Sequence, residues 1–150
     1  MGKYIITTGS GNSAYELNAF DNALLDSGIA DFNLVRLSSI LPTNSILTDS
    51  VDLPKGSFLH TAYSSYTSRR IGVTISAAVA IAIPADKFMP GVIMEASGEY
   101  DSDTIRSQVT AMARLAMKAR GISEFEIKMD SISTLTEDGY NCVIAAVSIW

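Results

Sequence analysis

Cysteine and histidine each occur only once in these 150 residues. Cys142 has no second thiol to meet, so an intrachain disulfide, a Cys-x-x-Cys redox pair and a cysteine-rich zinc site are all excluded within one chain. His60 is equally alone, which rules out a multi-histidine metal centre and forces any intrachain Ser-His-Asp triad to run through that residue. Positive charge is in short supply too: 11 Lys+Arg stand against 16 Asp+Glu, for a net charge of −5 and a pI near 4.7. There is no basic run with interleaved aromatics, and Arg69-Arg70 reads as a solvated strand end, so nucleic acid is not an expected partner. A cationic small molecule would be attracted instead. Long hydrophobic runs are also missing. The apolar stretch after Lys3 is too short for a signal peptide, and the longest run, 71–84, falls short of the roughly 20 residues of a membrane-spanning helix. The expectation is a cytoplasmic protein with no membrane partner, a setting that suits an unpaired thiol.

What is present suffices for one domain over residues 1–150. The chain is 47% hydrophobic, and a chain of this size hides roughly 70% of the surface its unfolded form exposes. A strand is predicted over 3–8, followed by a flexible polar stretch, Gly9-Ser10-Gly11-Asn12-Ser13. Ser13 and Glu16 form a capping-box signature for a helix with Leu17, Phe20 and Leu24 on its apolar face and Gly28 as its stop. Residues 32–39 alternate as a strand and end at a serine pair, and 40–56 carries enough turn chemistry to read as an internal loop. Strands are expected over 57–65, 72–83 and 91–100. In the second, Val73, Ile75, Val79 and Ile81 alternate with Thr74, Ser76, Ala78 and Ala80, so one face suits a bulky core and the other the close approach of another layer. A second helix is predicted over 103–120, capped by Asp101 or Ser102, with Ile105, Val109, Met112, Ala116 and Ala119 on one face. Phe125, Ile127 and Met129 then alternate as a strand, Glu137-Asp138-Gly139 reads as a hairpin turn, and 140–150 as the returning strand. The class is α+β, a largely antiparallel layered sandwich with two main helices.

The informative place is Leu37-Ser38-Ser39-Ile40-Leu41-Pro42, a serine pair where a strand meets the long loop. One reading is structural, with both hydroxyls capping nearby backbone groups. The other is self-cleavage. In that chemistry the second serine's hydroxyl attacks the carbonyl before it, the amide becomes an ester, and β-elimination with hydrolysis leaves a pyruvoyl group on the new amino terminus.

The surroundings of the pair resemble the pyruvoyl-dependent arginine decarboxylases. The matching runs are Thr7-Thr8-Gly9, Leu17-Asn18-Ala19-Phe20-Asp21-Asn22-Ala23-Leu24-Leu25 and Asn33-Leu34-Val35-Arg36-Leu37-Ser38-Ser39-Ile40-Leu41-Pro42. Gly56-Ser57, Thr61-Ala62-Tyr63, Thr74-Ile75-Ser76-Ala77-Ala78 and Gly91-Val92-Ile93-Met94-Glu95 follow in the same order. The resemblance implies cleavage between Ser38 and Ser39, giving a β chain of residues 1–38 and an α chain of residues 39–150 that carries a covalently bound pyruvoyl group derived from Ser39. It implies conversion of L-arginine to agmatine and CO2 through a Schiff base. It implies Asn33 as a helper at the cleavage and catalytic site, Glu95 as proton donor and Asp21 as the carboxylate for the substrate's cationic end. It also implies an α/β/β/α-type sandwich assembled as homotrimers, often paired into hexamers, with active sites between protomers.

Elementary chemistry gives each assignment a reason. Decarboxylation leaves a carbanion, and a ketone condensed with the substrate's α-amine delocalises that charge, as an electron sink does in pyridoxal enzymes. Glu95 has apolar neighbours, and desolvation helps such a carboxyl keep the proton it must deliver. A carboxylate at Asp21 matches a guanidinium fork better than a point-charge amine. Asn33 precedes Ser39 by roughly 20 Å of extended strand at about 3.3 Å per residue, so either the chain bends sharply or Asn33 comes from a neighbouring protomer. His60 reads as a partly buried structural residue rather than a base. The Gly9–Ser13 loop lacks nucleotide-binding spacing and is suited at most to a substrate carboxylate. Two alternatives stand beside arginine decarboxylation: another amino acid, such as histidine, as substrate, or an uncleaved, non-catalytic oligomeric subunit of the same fold.

Overall fold

Two sheets lie face to face, and the alternating side chains decide which face of each strand meets which layer. The computed structural model describes residues 2–150. In chain order the elements are β1 (Lys3–Ser13), α1 (Glu16–Ser27), β2 (Asn33–Arg36), β3 (Ile40–Leu41), β4 (Ile46–Leu47) and β5 (Phe58–Ser68). Then come β6 (Thr74–Pro84), β7 (Gly91–Gly98), α2 (Ser102–Ala119), β8 (Phe125–Leu135) and β9 (Tyr140–Ile149). One sheet has the order β2-β5-β9-β1-β4 and the other β3-β7-β6-β8. Pairing is antiparallel except where β2 meets β5 and β4 meets β1. Among the described residues no helix is long and apolar enough to cross a membrane.

The alternation on β6 sorts as the sequence predicts. Ile75, Val79 and Ile81 face β9 residues Val143, Ala145 and Val147 in the core between the sheets. Ala78, Ala80 and Ala82 face Ile105, Val109 and Ala113 of α2. Ile75, Ile81, Ile93 and Ile144 are fully enclosed, each contributing about 1.5–3 kcal/mol. Asp101 caps α2 by accepting from the Thr104 N–H at 2.7 Å. With α1 on the outer face of the larger sheet and α2 on that of the smaller, the architecture is the α/β/β/α sandwich.

Five local expectations fail, each for a tertiary reason. Residues 9–13 are not a loop: β1 continues to Ser13, paired with β9 from Tyr4 against Ile149 to Ser13 against Tyr140. Ser13 is thereby committed to the ladder, and α1 starts without a side-chain cap at Tyr15. No anion cradle forms there. The face α1 buries is the small-residue row Ala19, Ala23 and Ser27 with Leu24, while Leu17 is 76% exposed. The fourth failure is at Glu137-Asp138-Gly139, which is not a hairpin, because β8 pairs with β6 while β9 takes the centre of the other sheet. A strand apolar on both faces is best buried between neighbours; a turn signal reports a reversal but not the partner. Finally, 40–56 is not wholly irregular, since β3 and β4 add short rungs to opposite sheets.

Gly9 and Gly11 let α1 sit directly on β1. A Cβ at Gly9 would lie 2.2 Å from the Ala23 carbonyl oxygen and 2.7 Å from the Ser27 nitrogen, both backbone atoms that cannot swing aside. Gly9→Ala is therefore expected to lower the thermal midpoint by about 6 °C or more, the upper range for overpacking in a chain of this size. A calorimetric midpoint unchanged from wild type would mean that the helix can slide off the strand at no cost.

Candidate active site

The serine pair is the crossing between the two sheets. β2 lies at the edge of the five-stranded sheet, and its last ladder bond runs from the Leu37 N–H to the Thr61 carbonyl at 3.2 Å. β3 belongs to the edge of the other sheet, where the Ile93 N–H donates to the Ser39 carbonyl at 2.9 Å. Ser38 sits between those two anchors. Ser39 has φ of +77°, left-handed backbone that only glycine adopts freely, at a cost of about 1–2 kcal/mol for any other residue. The strain falls on the residue after the bond expected to break.

Ser39 is held in that shape from its side-chain end as well. Its hydroxyl donates toward both carboxylate oxygens of Glu95, each at 3.2 Å. Glu95 is on β7 opposite Val79 of β6, so its side chain points to the face shared with the other sheet. Half-burial there raises its pKa above the ordinary glutamate value; the Ser39 hydroxyl and, after it, the positive charge of Arg36 oppose that rise. A cavity of about 230 Å³ opens beside the pair, bordered by Met94 and Glu95 of β7 and by Met112 and Arg120 at α2. A larger cavity, about 720 Å³, lies elsewhere, between Thr7 of β1, the end of α1 and the loop after β4.

Other sequence candidates stand apart from this centre within one chain. The chain turns after Leu37, yet Asn33 remains at the opposite end of β2, where its side-chain amide donates to the Gly56 carbonyl at 2.8 Å. Asp21 is exposed on α1, with the five-stranded sheet between it and the serine pair. His60, read as partly buried, is exposed on β5, where it lies beside Val35 of the short edge strand β2. Among the described residues no cluster of three or more His, Cys, Asp or Glu is arranged to hold a metal ion.

One participant went unremarked in the sequence. Arg36 appears there only as a letter in the motif, but its guanidinium lies 4.3 Å from the centre of the Tyr63 ring and donates to the Tyr63 carbonyl at 2.7 Å. The available signal was a cation on a short edge strand, two residues before the serine pair.

Comparison with known proteins bears on the whole fold and not only this corner. A family model described as pyruvoyl-dependent arginine decarboxylase (PvlArgDC) matches residues 3–150. A pyruvoyl-dependent arginine decarboxylase of Methanococcus aeolicus is 39% identical over 145 residues, which is 97% of this chain and 87% of that protein. Its counterpart in Methanocaldococcus jannaschii is 37% identical, with the same coverage, and that of Methanothermobacter thermautotrophicus is 37% identical over 97% of this chain and 95% of its own. A solved pyruvoyl-dependent histidine decarboxylase at pH 8 is 18% identical, with a TM-score of 0.49, over 65% of this chain and 51% of that one. The family match spans residues 3–150, the strained serine and its carboxylate included, and the chain belongs to the pyruvoyl-dependent arginine decarboxylase family.

Proposed function

We propose that this chain is a self-processing decarboxylase that converts L-arginine to agmatine and CO2, and that Ser39 is the source of its pyruvoyl group. The observation that carries the reading is Ser39 itself: a serine in left-handed backbone at the crossing between sheets, its hydroxyl aimed at a half-buried carboxyl. In the processing reaction the Ser39 Oγ attacks the Ser38 carbonyl carbon, the peptide C–N bond breaks, and an ester replaces the amide. Loss of the Ser39 α-proton with rupture of its Cβ–Oγ bond releases Ser38 as a carboxylate. Water then displaces the nitrogen of residue 39 as ammonia, leaving the ketone. The products are fragments 1–38 and 39–150. They are expected to stay together, since β1 and β2 remain laddered to β9 and β5.

The residues around position 39 fit such a group. The carbonyl of residue 39 is already tied to the Ile93 N–H, and its side-chain end faces Glu95 and an open cavity rather than packed core. A pyruvoyl ketone held there would supply an electron sink for the charge left as CO2 departs. Glu95 has the placement of the acid that returns a proton to the α-carbon. Conversion of Ser39 removes its hydroxyl, the stronger of the two influences that hold the Glu95 pKa down, and leaves burial acting against Arg36 alone. A protonated carboxyl is what the donor role requires.

The separation of Asn33 and Asp21 from Ser39 within one chain supports an active site shared between protomers, as a homotrimer, alone or paired into a hexamer, would supply. Asp21 would then grip the guanidinium of arginine from a neighbouring subunit, two oxygens to the fork. Asp21→Asn is expected to raise KM for arginine about 10- to 100-fold, the value of a hydrogen bond to a charged group, with the rate of self-cleavage unchanged. Wild-type arginine kinetics in that variant would take Asp21 out of the site. We assign the protein to the cytoplasm, in keeping with a single buried, unpaired thiol at Cys142.

Intact mass spectrometry after denaturation tests the reading as a whole. Two species are expected whose masses together equal the intact chain plus one water less one ammonia, the larger refractory to Edman degradation and reactive with borohydride. A single species of full length, with Ser39 unmodified, would sink it in favour of a non-catalytic subunit.

A further inference from the structure

The ladder between β2 and β5 has a missing rung, and a side chain fills it. The Asn33 N–H donates to the Ser57 carbonyl at 2.9 Å and the Leu37 N–H to the Thr61 carbonyl at 3.2 Å. Parallel ladders space such bonds evenly, so the next would run from the Ser39 N–H to the Tyr63 carbonyl. That bond is absent; among the described residues the Ser39 N–H has no protein acceptor. The Tyr63 carbonyl accepts instead from the Arg36 Nη2 at 2.7 Å, and the same guanidinium lies 4.3 Å from the centre of the Tyr63 ring.

We propose that Arg36 is the positioning residue for self-cleavage: by occupying the Tyr63 carbonyl it keeps the Ser38–Ser39 peptide off the five-stranded sheet and in its bent, cleavable shape. The inference rests on the self-processing reading above and adds to it a residue and a means. Two donors compete for one acceptor. If the Ser39 amide took it, β2 would run two residues further, residue 39 would adopt extended backbone, and its hydroxyl would leave Glu95. With the guanidinium there instead, the carbonyl is satisfied without the scissile segment. The Ser39 nitrogen, which must leave the Ser38 carbonyl, is then free of a ladder bond that would hold it in place. A guanidinium suits the task because it presents several donors in one plane and stacks flat on an aromatic ring.

The test follows cleavage from the intact chain, made in a cell-free reaction and sampled over time by denaturing gel and intact mass. Arg36→Met is expected to cleave at least about tenfold more slowly than wild type, the rate equivalent of about 1.4 kcal/mol. Free guanidinium ion, added below denaturing concentration, is expected to restore part of that rate, while methylammonium at equal ionic strength is not. A rate equal to wild type, or a slow rate that guanidinium leaves untouched, overturns the inference. Should Arg36→Met fail to fold by circular dichroism, Arg36→Lys carries the test, since it keeps a cation but loses the fork and the flat stack. Slower cleavage in Arg36→Lys supports the role, and wild-type speed overturns it. A wild-type chain that stays whole overturns the self-processing reading and this inference together, whereas wild-type cleavage alongside an equally fast Arg36→Met removes Arg36 alone.

Discussion

Ser39→Ala is expected to remain a single chain of 150 residues and to form no agmatine at all. The hydroxyl is the proposed nucleophile, and no neighbour replaces it: Ser38 stands on the wrong side of the bond, and among the described residues no other hydroxyl donates to Glu95. The variant should nevertheless fold. It gives up one hydrogen bond to a half-buried carboxyl, about 1 kcal/mol, and the β3 rungs from Ile40 to Val92 and from Leu41 to Gly91 remain. An intact-mass measurement decides the matter, because any fragment ending at Ser38 would show that Ser39 is not the attacking group. The same variant is also the stable precursor on which the Gly9→Ala comparison is best made, free of the change in chain number.

Glu95→Gln has the second-largest expected consequence, and it separates two stages that Ser39→Ala cannot. A glutamine side-chain oxygen still accepts from the Ser39 hydroxyl, so cleavage should go on. Decarboxylation should fall about 10²- to 10⁴-fold, the usual contribution of a positioned acid. Because burial holds the Glu95 pKa above the ordinary value, its protonated form persists to higher pH than in an exposed glutamate. The proposed donor works when protonated, so wild-type turnover should decline as pH rises through that elevated pKa, and the decline should vanish from the residual activity of Glu95→Gln. Full activity in the variant would show that another acid returns the proton, and a retained alkaline limb would show that another group titrates.

The two glycines of β1 and the alanines of β6 show how far sequence reading reaches and where it stops. The small, even-numbered positions of β6 announced a second layer in close approach, and α2 supplies it. Gly9 and Gly11 carried the same meaning, yet their polar neighbours made them look like a loop. Only α1 lying on them, with Ala23 and Ser27 against Gly9, turns a flexible composition into a strand under a helix. Likewise the turn at Glu137-Asp138-Gly139 was legible, while its partner strands were not, since β9 is drawn to the centre of the larger sheet by being apolar on both faces. The candidate site divides in the same way. The serine pair and Glu95 stood out through the motif runs around them, and the fold brings them together. Arg36 stayed hidden because its partner is a backbone carbonyl 27 positions away, which no side-chain pattern reveals.

By itself, then, the sequence determined the layers, the family and the bond expected to break. Hydrophobic period and the immediate neighbours of the two serines are local properties, and local properties survive in one dimension. The tertiary structure decided the rest: that Ser38–Ser39 is the crossing between sheets, that Ser39 is held left-handed against Glu95, and that Asp21 and Asn33 lie apart from it in one chain. Those are relations between residues far apart in the chain, created when two strand edges, each short of a partner, are joined by a segment that belongs to neither.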